Sequence, residues 1–171
     1  MDTQAIFGLQ FFLSLVVWGV IAKWSLTPWL EKKSPHEALY WLALPHAFRH
    51  IGMVFLVPGV VAQPLRTGFA NPAAYGDLVT GVLALLALIT LRTGWAGALV
   101  LVWLFNIVGT VDLLNALRHV DVVPGFGAAW YIPTFLVPAL LVTHFMIFAR
   151  LLRRGRRVES YSGRTSRAPS S

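Results

Sequence analysis

No cysteine occurs anywhere in this chain of 171 residues. Disulfides, thiolate nucleophiles and thiolate metal ligands are therefore excluded. Charge is scarce as well: Asp, Glu, Lys and Arg together make up 12%, and only 7 residues are acidic. Hydrophobic residues make up 57% and the mean hydropathy is +0.67, values too apolar for a soluble domain of this length. The apolar runs are long and do not alternate, which argues for helices and against a transmembrane barrel. The sequence contains no phosphate-binding glycine loop, no nucleophile of Ser-His-Asp type and no internal repeat of the kind that marks inverted-repeat transporters.

What the chain does have is a succession of apolar runs of membrane-spanning length. The expected fold is all-α: a polytopic membrane bundle of five transmembrane helices, at about 5–21, 38–63, 73–91, 96–117 and 128–149. One domain covers about 1–150, and a basic tail at about 151–171 is expected to be disordered, most clearly from Val158 onward. A cleaved signal peptide would want positive charge before the first run and small residues after it. Asp2 in front and Trp24, Leu26 and Pro28 behind favour a retained span. Arg92-Thr93-Gly94-Trp95 predicts a tight turn, making spans three and four antiparallel neighbours. The tryptophans and tyrosines near the span ends read as interfacial anchors.

Basic residues set the direction. The loop after span one, the loop after span three and the tail hold Lys23, Lys32, Lys33, Arg92, Arg150, Arg153, Arg154, Arg156, Arg157, Arg164 and Arg167. The opposite side holds only Arg66 and Arg118. The positive-inside rule puts the first side in the cytoplasm and the N-terminus outside, in a bacterial inner (cytoplasmic) membrane. A pI near 10.6 would suggest nucleic acid in a soluble protein. Here the excess charge flanks membrane segments and reads as orientation plus attraction to anionic headgroups, with no nucleic-acid partner.

Within this greasy background Arg49 stands in the run Leu44-Pro-His-Ala-Phe-Arg-His-Ile-Gly52. A guanidinium at that depth costs about 3 kcal/mol even on the lenient insertion scale and is kept only with a partner or a wet cavity. Asp112 is the one acid placed well inside another span. At about 1.5 Å per residue, His46, Arg49, His50, Asn106, Asp112, His144 with Thr143, Gln10 and Ser14 fall within one broad layer. Span three, with Leu83-Ala-Leu-Leu-Ala-Leu-Ile89, is expected to be the only one without a polar contribution, and Asp77 and Asn115 are placed near the outer boundary. On an α-helix, His46, Arg49 and His50 share a face. His36 and His119 are read as loop or interfacial residues without a role.

Four functions fit such a layer. A lipophilic substrate could be handled by His46 or His50 as general acid or base, with Arg49 stabilising negative charge and Asp112 orienting a histidine. Asn106, His144, Gln10 and Ser14 would then line the ligand site. A divalent metal could use His46 and His50, or a b-type haem could take His46 and His144 as its axial pair. Intramembrane His, Asp and Arg also suit a proton pathway, which in so small a protein would call for a homo-oligomer. The bland alternative is a non-catalytic accessory subunit in which Arg49 pairs with Asp112 to hold spans two and four together. The reading favoured among these is a buried pocket for a small lipophilic or anionic ligand.

Further stretches carry a resemblance: Phe55-Leu-Val-Pro-Gly-Val60, Ala73-Ala-Tyr-Gly-Asp-Leu78, Phe105-Asn-Ile-Val-Gly-Thr-Val-Asp-Leu-Leu114 and the Tyr131-Ile-Pro-Thr134 opening of span five. With Leu44–Gly52 they resemble small bacterial integral membrane proteins known only as hypothetical. The resemblance covers most of the chain except the tail and implies no activity. The tryptophan-rich sensory protein (translocator protein) family is similar in architecture only, since its Trp/Pro-rich motifs are missing.

Overall fold

Four helices in the computed structural model are long and apolar enough to cross a bilayer: Thr3–Glu31, Thr67–Thr93, Ala98–Ala116 and Gly127–Arg154. The structure describes residues 1–62 and 65–165, with side chains to residue 154. Among these the chain is helical throughout, apart from its connections and an isolated bridge between Pro58 and Val61.

The first run comprises α1 (Thr3–Ile21) and α2 (Thr27–Glu31), joined by a π turn at Ala22–Leu26. Pro28 has no N–H to offer the carbonyl of Trp24, four residues back, and the turn widens accordingly. Asp2 caps α1 by accepting from the Ala5 N–H at 2.7 Å. Ser34 caps α3 (Pro35–Ala43) by accepting from Glu37 N–H at 3.2 Å.

Over the expected second span the chain is not one continuous α-helix. The α-helix stops at Ala43 and continues as a 3₁₀ helix over Leu44–Leu56. Pro45 cannot donate to the Trp41 carbonyl, so the α ladder is broken at its first rung. The chain then leaves helical geometry at Val57, where φ is −93° and ψ 113°. The end of that span at Gln63 lies outside the described residues. So do residues 166–171 of the tail.

The next helix, α4 (Thr67–Thr93), begins six residues before the expected Ala73 and ends at Gly94 with φ 71°. That left-handed glycine makes the tight return into α5 (Ala98–Ala116), which packs along α4. Short 3₁₀ turns at Val120–Gly125 and Gly127–Trp130 lead through a second π turn, Ile132–Leu136, into α6 (Val137–Thr165). Pro138, unable to donate to Thr134, accounts for that π turn as Pro28 does for the first. The backbone of α6 continues beyond Arg150, where the sequence reading places the tail.

The end of the bundle opposite the basic residues is closed by two stitched loops. Ala62 N–H donates to Gly125 O and Ala128 N–H to Val60 O, both at 2.9 Å. An exposed Arg66–Asp121 ion pair joins the same loops, and its hydrogen bond holds the Asp121 carboxyl below the usual carboxylate range.

Burial divides the interior into layers. Toward the basic end an apolar core contains Leu30, Leu42, Leu88, Val102, Phe105 and Ile147. Toward the stitched loops a second core contains Phe7, Phe55, Phe69, Val123 and Phe126. Between them lie His46, Arg49, Asp77, Thr80, Asn106, Thr143 and His144, all buried. Helix α1 sits at the rim: Phe7 is its only buried residue, while Leu9, Phe12, Leu13, Val16 and Val17 point outward. An apolar exterior on this scale marks a surface made for contact with lipid or a partner.

Candidate functional site

The 3₁₀ segment determines which residues meet. At three residues per turn, positions three apart lie directly above one another. Its buried residues are His46, Arg49, Gly52 and Phe55, a strict three-residue repeat facing the bundle interior. In an α-helix the same four would drift about 60° per step and wrap halfway round the axis. Sequence spacing read as α-helical put His50 on the face of His46 and Arg49. That placement is corrected: His50 is exposed, and its Nδ1 lies 3.0 Å from the Ala47 carbonyl.

Arg49 is the only buried cation among the described residues, 1% exposed, and each of its three guanidinium nitrogens donates a hydrogen bond. Nε donates to Asp77 Oδ1 at 2.6 Å, Nη1 to Gly109 O at 3.0 Å and Nη2 to Asp112 Oδ2 at 2.5 Å. The expected Arg49–Asp112 pair is thus present, with a second carboxylate beside it. Asp77 comes from α4, which also places Thr80 in the layer. The expectation that this span contributes nothing polar is corrected for a simple reason. Counted from Thr67, Asp77 lies about three turns into the helix.

Three glycines make room for these groups. A β-carbon at Gly52 would stand 1.9 Å from Asp77 Oδ2, and one at Gly76 1.8 Å from Asp112 Oδ1. At Gly109 it would meet Arg49 Nη1 at 2.7 Å and His144 Cε1 at 2.9 Å. Each charged side chain occupies volume that any larger residue would fill. With both aspartates ionised, the triad carries one net negative charge.

Next to it, His46 and His144 pack with ring centres 4.1 Å apart. Thr143 directs its hydroxyl proton to the Ala139 or Leu140 carbonyl, each at 3.0 Å, so its oxygen accepts from His46 Nε2 at 3.0 Å. Asn106 Nδ2 donates to His144 O at 3.4 Å, which turns Oδ1 toward His144 Nδ1 as an acceptor at 2.7 Å. These assignments make His46 Nε2 and His144 Nδ1 the donors and leave His46 Nδ1 and His144 Nε2 buried with no hydrogen-bond partner among the described residues.

That geometry does not suit a haem. Two axial imidazoles bonded to one iron at about 2 Å stand roughly 6 Å apart between ring centres, with the macrocycle between them. Rings at 4.1 Å leave no space for it. His46 is buried and His50 exposed, so the two do not share the face that a common metal ion would need, and among the described residues no group of three or more His, Cys, Asp or Glu is arranged to hold an ion.

Two of the expected site residues lie elsewhere. Gln10 accepts from Trp130 Nε1 at 2.6 Å on the exterior, tying α1 to the loop end. Ser14 is half-buried on the same rim helix. Depth alone brought them into the layer; direction around the helix takes them out of it.

A cavity of about 40 Å³ reaches the triad from the stitched-loop end. Phe7, Phe55, Phe69 and Phe126 wall it, His119 stands among them, and Asp77 and Asp112 form its floor. A separate groove between α4 and α5, bounded by Tyr75, Val79, Ile107 and Arg118, also ends on Asp112. Neither opening is lined by Arg49, His46 or His144. Toward the basic end the polar layer stops against the Leu42–Leu88–Val102 core. His119, left without a role by sequence reasoning, is therefore the histidine nearest the open part of the site. Its ring stacks edge-on against Phe69 at 5.9 Å.

Residues 6–152 match the family model described as Domain of unknown function (DUF8737). The chain belongs to that family. No curated protein and no solved structure matches it. The DUF8737 match spans the whole site, from Phe7 to His144, and like the resemblance noted in the sequence it brings no activity with it.

Proposed function

We propose that this protein is a multi-pass membrane protein that binds a small ligand with an apolar body and a cationic or hydrogen-bond-donating end. The donor end would sit on the Asp77–Asp112 carboxylates, and the body among Phe7, Phe55, Phe69 and Phe126. The observation that carries this reading is the commitment of Arg49. Each of its three nitrogens donates within the fold and Arg49 lines neither opening, so the floor offers acceptors rather than a free positive charge. An anionic ligand, which a free arginine would invite, finds none at the cavity.

The cavity has room for only a few waters as it stands. A ligand would enter by displacing α1, which contributes Phe7 alone to the cavity wall. Access of Asp112 to the α4–α5 groove suits a ligand that partitions through the bilayer. The layer's closure against the basic-end core favours binding, or chemistry confined to one side, over a continuous proton path.

In this reading the α3–3₁₀ segment is the second of five crossings. Nine α-helical and thirteen 3₁₀ residues span roughly 40 Å, more than the hydrocarbon core requires. The N-terminus then faces outward and the basic end faces the cytoplasm of a bacterial inner membrane, as the distribution of Lys and Arg supports.

The test is native mass spectrometry of the full chain released in mild detergent, wild type beside Asp112→Asn. A discrete small mass retained by wild type, lost in Asp112→Asn and kept in His50→Ala is the expected result. Identical spectra for wild type and Asp112→Asn would overturn the reading.

A further inference from the structure

At the basic end, away from the cavity, a cleft of about 680 Å³ separates the α2–α3 corner from α6. Its apolar floor includes Leu30 and Leu39, 0% and 2% exposed, together with Met146 and Leu151. Lys33, Arg150, Arg153 and Arg154 line its mouth, and Glu31 is the only acid among the lining residues. Lys33 is already engaged, 2.9 Å from Glu37 and 5.2 Å over the Trp29 ring. The three arginines are not. Among the described residues none has a carboxylate within ion-pair distance.

We propose that this cleft is a binding site for the headgroup of an anionic phospholipid. Three observations select that occupant. The guanidinium groups are matched in charge and geometry to a phosphodiester, which they bind in a bidentate fashion. The floor is apolar and suits the glycerol and upper acyl chain, whereas a freely hydrated phosphate gains nothing from it. The site also lies at headgroup level: Trp29 and Trp41, stacked edge-on at 5.5 Å and both partly exposed, stand on the same corner as an interfacial anchor. Basic pockets between transmembrane helices are the usual receptors for anionic headgroups. The cleft shares no lining residue with the aromatic cavity, so this inference stands or falls independently of the ligand proposed there.

The test is native mass spectrometry of the full chain in mild detergent, titrated with phosphatidylglycerol or with phosphatidylcholine. Wild type is expected to retain phosphatidylglycerol at least about tenfold more tightly. The triple variant Arg150→Gln/Arg153→Gln/Arg154→Gln should lose that preference, and Arg92→Gln, at the same end but outside the cleft, should keep it. Arg153 and Arg154 are exposed, so the double variant Arg153→Gln/Arg154→Gln gives a milder version should the triple variant not fold. Equal retention of the two lipids by wild type would overturn the proposal. So would an undiminished preference in both variants, or displacement of the lipid by millimolar inorganic phosphate.

Discussion

The Asp112 carboxylate fills the space where a β-carbon of Gly76 would be, 1.8 Å from Oδ1. Two helices approach closely there so that a charged group of one can lie on the bare backbone of the other. Gly76→Ala must push Asp112 off Arg49 or push α4 off α5. The expected cost is about 1–3 kcal/mol, with Gly52→Ala similar through Asp77. Gly8, with nothing within 4 Å, is the control. Thermal unfolding in detergent should separate Gly76→Ala and Gly52→Ala from Gly8→Ala; equal midpoints would disprove the packing argument.

Removing the guanidinium should be worse than removing everything it holds. Arg49→Met leaves Asp77 and Asp112 close together with no counter-charge, and a loss of about 3–5 kcal/mol is expected. The triple variant Arg49→Met/Asp77→Asn/Asp112→Asn carries no stranded charge and should recover more than half of that. Arg49→Lys should fall between them, because one ammonium cannot match the planar three-way contact. A triple variant no more stable than Arg49→Met would show that the triad is not the source of the cost.

Asn106 and His144 form a unit whose halves depend on each other. Asn106→Ala leaves His144 Nδ1 without its acceptor, at about 1–3 kcal/mol. In a His144→Phe background the same substitution should cost distinctly less, and the double-mutant cycle gives their coupling. Additive losses would mean that the 2.7 Å contact contributes nothing.

His50 and Ser14 should be dispensable. Both lie off the buried layer, so His50→Ala and Ser14→Ala are expected to shift stability by no more than about 0.5 kcal/mol and to leave any bound small molecule in place. Loss of a ligand mass in His50→Ala would return that histidine to the site.

These residues also show where sequence reasoning reaches and where it stops. Cost alone found the Arg49–Asp112 pair, because a guanidinium surrounded by apolar residues must have a counter-charge. The helical character and four of the long apolar runs were legible from composition and length. His50 was misplaced because phase was taken at 3.6 residues per turn, and the proline at position 45 that changes the phase acts through a missing N–H rather than through hydrophobicity. Asp77 was missed because the boundary of α4 was set by hydropathy, and the polar first turns through Asn71 hide six residues of helix. Its proximity to Gly76 was the available signal: a small residue beside an acid in an apolar run marks close helix approach. Gln10 and Ser14 have the right depth and the wrong azimuth, which no single-helix argument supplies for a segment as uniformly apolar as α1.

The 3₁₀ stretch leaves a signature in the kinds of length change the protein can accept. Every third residue from His46 to Phe55 is buried in the bundle, so inserting three residues keeps the downstream side chains in phase and lengthens the segment by about 6 Å. Inserting one turns everything beyond it through about a third of a circle, and inserting four does the same. An ordinary α-helix would tolerate four and object to three less sharply. Natural relatives that vary in length between Pro45 and Leu56 should therefore do so in threes.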